Sequence, residues 1–268
     1  MPTNERLENS VSIRHPLSTN VNTTTDNGQQ TTDSKQWLSV DFERLDYRKA
    51  WSLQKELITA RRAGSLQNDV VLFLEHPPVF TLGRRGGREC MLVTEAFREK
   101  TGIPIIQVER GGTITYHGPG QLVAYPIVNL QSARIKVVDF VSGLEDVMLQ
   151  TAKSCGIAAE RKDANRGIWV GPKKMGSIGI AVRRGISFHG LALNVQTDLT
   201  PFGWIQPCGL QNVQMTSMQL ESAQSLSMQQ VRAILKKQFE SVFGIHLVPH
   251  TRFNLNSIIK KVTAATRV

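Results

Sequence analysis

The sequence predicts an α+β domain, a mixed sheet with flanking helices, and three observations predict it. Short runs rich in β-branched and aromatic residues come in groups instead of alternating strictly with helices. Single segments of helical periodicity interrupt those groups. Of the 21 glycines, 13 lie in residues 101 to 130 and 167 to 210, so tight turns and close backbone approach are concentrated in two zones. A chain of 268 residues with 40% hydrophobic and 20% charged content can bury one large core.

Residues 1 to 36 hold 19 Ser, Thr, Asn or Gln and no aromatic residue, too little apolar surface to offset chain entropy. They read as a disordered polar leader, without an apolar stretch or Arg-rich pattern of a targeting segment. No repeat or composition break divides the rest of the chain, so residues 37 to 268 read as one domain.

Asp46 is placed to cap a helix in which Tyr47, Ala50, Trp51, Leu57 and Ile58 share a face and Gly64 is the stop. Val70 to Leu74 reads as a buried strand, closed by His76-Pro77-Pro78 because proline has no N–H for a ladder. Val79 to Leu82, Ile103 to Val108, Thr113 to Tyr116 and Leu122 to Val128 are further strands. Val137, Phe140, Val141, Leu144, Val147 and Met148 then recur at helical spacing. Ile168 to Val170, Ser177 to Val182 and Ile186 to Val195 return to strand character, and Ser227-x-x-Gln230 opens a last amphipathic helix.

Composition excludes several classes. No apolar run approaches the roughly 18 residues of a membrane span. Cysteines at 90, 155 and 208 cannot all pair and match no compact zinc spacing, which points to a reducing, cytoplasmic setting. The net charge is +10, all of it in the part after residue 36, and favours an anionic partner. Nucleic acid is disfavoured because the basic runs lack interleaved aromatics. The tail from 251 to 268, with Arg252, Lys260, Lys261 and Arg267 and no acid, is a candidate docking surface for an acidic protein.

Two glycine-rich zones carry the candidate chemistry. In Arg110-Gly111-Gly112-Thr113-Ile114-Thr115-Tyr116-His117-Gly118-Pro119-Gly120-Gln121, paired glycines bring main-chain N–H groups near a ligand and a stiff turn holds His117. The plainer reading is a hairpin with a surface arginine and a packed histidine. In the second zone Cys208 lies between Pro207 and Gly209 on a constrained turn, either an exposed nucleophile or a small buried hydrophobe. A thiol needs a base or cation to become a thiolate, and Lys174, His117 and His189 all compete for that part.

Five blocks carry a resemblance: Leu74-Glu75-His76-Pro77-Pro78-Val79-Phe80-Thr81-Leu82-Gly83, Arg110 to Gln121, Lys174 to Gly179, Phe188-His189-Gly190 and Pro207-Cys208-Gly209. In this order they resemble the octanoyltransferases of lipoate biosynthesis, over about residues 37 to 250. The resemblance implies the catalytic fold shared with lipoate- and biotin-protein ligases. It implies Cys208 as the acyl-thioester nucleophile and Lys174, opening Lys-x-x-Ser-x-Gly, as the residue that lowers its pKa. Substrate contacts are implied at Arg110, Gly111, Gly112, Thr113, Ile114, Thr115, Tyr116 and His117, at Ser177, Ile178 and Gly179, and at Gly190, Leu191 and Ala192. The implied acyltransferase moves octanoate from octanoyl-acyl carrier protein to a lysine of lipoyl domains, in 2-oxoacid dehydrogenase complexes and the glycine cleavage H protein. It requires no cofactor, metal, nucleotide, nucleic acid or membrane. The competing activity on the same fold is an ATP-dependent lipoate or biotin ligase, which has no need of Cys208.

Overall fold

The structure, a computed structural model, describes residues 35–162, 165–206, 213–251 and 255. These belong to the compact unit Ser34–Val268. Cys208 and the basic positions 252, 260, 261 and 267 lie outside the described residues.

The first described element is strand β1 (Lys35–Arg44), so Lys35 and Gln36, assigned to the polar leader from composition, are instead its first residues. Helix α1 (Tyr47–Arg62) follows, with the Asp46 carboxylate accepting from Lys49 N at 3.1 Å. Strands β2 (Asp69–Glu75) and β3 (Val79–Leu82) flank the two prolines as expected. Helix α2 (Glu95–Thr101) leads to β4, which is shorter than expected at Ile105–Gln107. Next come β5 (Ile114–His117), β6 (Gln121–Ile127), α3 (Leu130–Ala133) and α4 (Val137–Ser154). Val137, expected on the buried face of α4, is exposed at the first turn, where the helix has yet to meet the sheet. Strands β7 (Gly167–Val170), β8 (Lys173–Arg183), β9 (Ile186–Asn194) and β10 (Gln214–Met215) come next. Helices α5 (Met218–Glu221) and α6 (Met228–Phe243) and strand β11 (Ile245–Pro249) complete the order. The expected Ser227–Gln230 capping box is formed at α6.

The large sheet has the order β10-β8-β9-β6-β2-β1-β11, with β7 also pairing with β8. Its centre is antiparallel, whereas β1 runs parallel to both β2 and β11. Helix α1 packs on one face against Val70, Leu72 and Leu74. Helices α4 and α6 cover the other face, where Val71 and Phe73 meet Phe140, Leu144 and Phe239. Burial on both faces explains why β2 is an unbroken apolar run, with alternate residues serving two cores.

A separate small sheet has the order β4-β3-β5. Strand β5 pairs with β3 and strand β6 with β2 and β9, so the segment from Ile114 to Ile127 is not a hairpin. The Gly118-Pro119-Gly120 link instead carries the chain from one sheet to the other. This crossing sets the Arg110–His117 segment over the end of β8 and β9.

Candidate functional site

A cavity of about 430 Å³ lies where the small sheet meets β8 and β9. Lys174 marks one end. Successive strand residues face opposite sides, and the two lysines at the start of β8 divide accordingly: Lys173 Nζ pairs with Glu221 at 2.8 Å, while Lys174 is 3% exposed and lines the cavity. Lys174 is therefore a buried strand residue and not a solvated loop lysine. Its Nζ donates to Asn165 Oδ1 at 2.5 Å and lies 5.3 Å from the centre of the Trp169 ring.

Helix α4 fixes this corner from behind. The buried Glu145 accepts from Gly167 N at 2.8 Å and from Arg166 at 3.0 Å, with Arg161 Nε 3.3 Å away. Gly167 has φ 129°, and a Cβ there would lie 2.1 Å from Gly176 O and 3.0 Å from Lys174 Cε. Only glycine lets β7 pass this close to the lysine.

The middle of the cavity is formed by two backbones without side chains in the way. Gly179 and Gly190 pair directly across β8 and β9, and Gly111 N donates to Ile180 O at 2.9 Å, tying the Arg-Gly-Gly segment to the strand end. Arg110 is buried, against the plainer surface reading. Its guanidinium donates to Thr81 O at 2.6 Å, to Thr81 Oγ1 at 2.8 and 3.1 Å, and to Gly111 O at 2.9 Å. The arginine thus holds the glycine loop against β3.

Five buried rings converge at the other end: Tyr47 from α1, His76 after β2, His117 from β5, Tyr125 from β6 and His189 from β9. His76 Nδ1 donates to Leu45 O at 2.6 Å, which leaves Nε2 to accept from the Tyr125 hydroxyl at 2.7 Å. His117 Nδ1 donates to Gln121 Oε1 at 2.7 Å, because the Gln121 amide nitrogen is committed to Asn194 Oδ1 at 2.9 Å and Tyr116 O. The Tyr47 hydroxyl bonds with that of Tyr125 and reaches His189 Nδ1 at 3.4 Å. His189 itself has φ 55°, left-handed for a non-glycine strand residue, a strain of the kind found at functional sites.

Burial keeps all five rings neutral near pH 7. It lowers His76 to about 4 and His189 to about 3, the latter with help from the Arg110 charge. His117 is held well below 6.5 by burial, then by His76 and Arg110. Burial also raises Tyr47 to about 12 and Tyr125 well above 10.

The cavity wall thus unites Lys174 with Arg110, Gly111, Gly112, Ile114, Thr115, His117, Ser177, Ile178, Gly179, Gly190, Leu191 and Ala192. Thr113 and Tyr116 are not part of it. Tyr116 points to the opposite side of β5 from Thr115 and His117 and packs between Phe80 and Phe202. Sequence reasoning missed Tyr47, Tyr125 and Asn165 as lining residues; for Asn165 the sequence offers no signal, since its partner lysine is set by the fold. Among the described residues no group of three or more His, Cys, Asp or Glu is arranged to hold a metal ion, and no helix is long and apolar enough to cross a membrane.

The mixed sheet with helices on both faces resembles the lipoate-protein ligase catalytic fold. A lipoate-protein ligase A crystallised with ATP superposes with TM-score 0.67 at 18% identity, over 85% of this chain and 94% of that one. The bipartite lipoate protein ligase of Thermoplasma acidophilum gives 0.64 at 17%, over 85% and 92%. The family described as "Lipoyl protein ligase A/B catalytic domain" matches residues 46–240. The octanoyltransferase of Desulfotalea psychrophila is 42% identical over 76% of this chain and 93% of its own. That of Syntrophobacter fumaroxidans is 44% identical over 81% and 96%. The chain belongs to the lipoyl protein ligase A/B catalytic domain family, on its octanoyltransferase side.

Proposed function

We propose that this enzyme transfers an octanoyl group from acyl carrier protein to the ε-amine of a lipoyl-domain lysine, by two covalent half-reactions. The reading rests on the similarity to octanoyltransferases, and the observation that carries its mechanism is the burial of Lys174 in the cavity wall. In the first half-reaction Lys174, as the neutral amine, takes the proton of the Cys208 thiol, the thiolate attacks the donor thioester, and the carrier leaves with that proton as a free thiol, so that Cys208 holds the acyl group and Lys174 is again neutral. In the second, the acceptor amine attacks the acyl-enzyme, loses a proton with the help of Lys174, and Cys208 leaves as thiolate. Backbone N–H groups of the glycine-rich segments are suited to the developing oxyanion.

The acceptors in this reading are lipoyl domains of 2-oxoacid dehydrogenase complexes and the glycine cleavage H protein, met in the cytoplasm. The basic surface hastens encounter with acidic partners. Residues ahead of β1 lie outside the catalytic domain.

Intact-mass spectrometry after mixing with octanoyl carrier protein, without ATP, tests the reading. One added octanoyl group is expected, lost in Cys208→Ser and kept in Cys90→Ser and Cys155→Ser. An adduct that survives Cys208→Ser, or transfer that needs ATP, overturns it.

A further inference from the structure

The acyl-transfer reading gives Lys174 a proton to carry, and the neighbour that holds its amine is a carboxamide. Lys174 Nζ donates to Asn165 Oδ1 at 2.5 Å, and Asn165 lines the same cavity. Asn165 is itself held from two sides. Its backbone carbonyl accepts from Trp169 Nε1 at 3.3 Å, and the two residues that follow it, Arg166 and Gly167, are bonded to the buried Glu145. Trp169 is paired with Lys174 across β7 and β8, with its ring centre 5.3 Å from Nζ.

From this geometry we propose that Asn165 is a positioning residue for the reaction, a neutral acceptor that aims the Lys174 amine while leaving its charge able to change. The proposal rests on the acyl-transfer reading.

The proton cycle asks for such a partner. Lys174 takes the thiol proton as an amine and returns it, as an ammonium, to the departing carrier thiol. A neutral amine has two N–H groups and one lone pair. With one N–H bonded to Asn165 Oδ1, the lone pair remains for the thiol proton. After protonation the same bond persists as a charge-assisted one, so the nitrogen stays in place through both states. A carboxylate in that position holds the nitrogen as firmly, but it favours the ammonium and opposes return of the proton. An opposite charge this close shifts such an equilibrium by about one to three pH units.

The charged groups on the elements packed against this part of β8 have partners of their own. On the α4 side Glu145 is engaged by Gly167 N, Arg161 and Arg166, and Asp146 by Arg161. Lys173, on the opposite face of β8, pairs with Glu221, and Lys162 lies 5.2 Å from the centre of the Trp169 ring with Glu160 3.9 Å away. Strand β10, which pairs with Lys173 and Lys174, contributes Gln214 and Met215 and no charge.

The pH dependence of kcat/KM for transfer from octanoyl carrier protein tests the proposal, with the full-length native protein compared with Asn165→Asp and Asn165→Ala. Asn165→Asp adds a negative charge beside the thiol and amine, so both hold their protons more tightly. The acid limb of the profile should move up by at least about one unit, a loss of about tenfold below the limb that is recovered above it. Asn165→Ala removes the aim without adding charge, and should lower the rate about tenfold at every pH without moving the limb upward. Circular dichroism establishes that each variant is folded. A uniform loss across the pH range in folded Asn165→Asp, or a native rate in Asn165→Ala, overturns the proposal while leaving acyl transfer intact. Absence of any acyl adduct on the native enzyme overturns the transfer reading itself.

Discussion

The two ends of the cavity achieve order by opposite means. At the Lys174 end an amine is positioned by bonds that lead through Asn165 and Gly167 to the carboxylate of Glu145 on a different layer of the fold. At the ring end five titratable groups are crowded together and burial, aided at His117 and His189 by the Arg110 charge, suppresses their ionisation. The difference teaches that a buried polar cluster can be kept without counter-charges when every member has a neutral form to retreat to. Lys174 at the other end is held by Asn165 and the Trp169 ring.

The comparison breaks most visibly in acid. The histidines at the ring end have folded-state pKa values below the ordinary 6.5, so below that pH the unfolded chain binds more protons than the folded one. Stability should therefore be level above about pH 7 and fall as pH drops from 6.5 towards 4. The shift of His76 alone, from 6.5 to about 4, corresponds to about 3 kcal/mol. Urea denaturation at a series of pH values measures it, and a flat profile between 7 and 4.5 would refute neutral burial.

A smaller expected effect, and one confined to chemistry, comes from Lys174→Ala. Transfer should fall about a hundredfold with the melting temperature nearly unchanged, whereas Lys173→Ala, which removes only the surface pair with Glu221, should alter the rate less than about threefold. Steady-state transfer assays on both variants settle which lysine belongs to the reaction.

Smallest is the effect of Glu145→Gln. It keeps an acceptor for Gly167 N but weakens the pairs with Arg161 and Arg166, whose side chains are 39% and 52% exposed. About 1 kcal/mol of stability should be lost, with a severalfold fall in transfer as the Asn165 corner loosens. If stability falls and the rate does not, α4 holds the fold but not the lysine.

Much of the scaffold was legible in the sequence because its signals are local. The Asp46 cap, the Ser227–Gln230 capping box and the apolar periods of α1, α4 and α6 depend on residues a few positions apart. Strand β1 was not legible: it mixes Lys35, Asp41 and Arg44 with Trp37 and Val40, and is made a strand by β2 and by β11 from the far end of the chain. The Arg110–Gln121 segment carries turn glycines that suit a hairpin, yet its two strands join different sheets, a choice made by pairing with β3 and β9. For the site, the glycine blocks and Lys174 were legible by resemblance. The ring cluster was not, since its members come from five separate elements and acquire a common purpose only when those elements meet.

The parallel seating of Lys35–Ser39 against Ile245–Pro249 also governs how the enzyme is born. Synthesis is vectorial, so while the ribosome is still adding the residues of β8, β9 and α6, the outer edge of β1 waits with unpaired amides and with Trp37 uncovered by α6. The large sheet can close only after nearly all the catalytic machinery has emerged. Until β11 arrives, that edge is open to pairing with another chain, so the newly made protein is most exposed to aggregation before it has an active site.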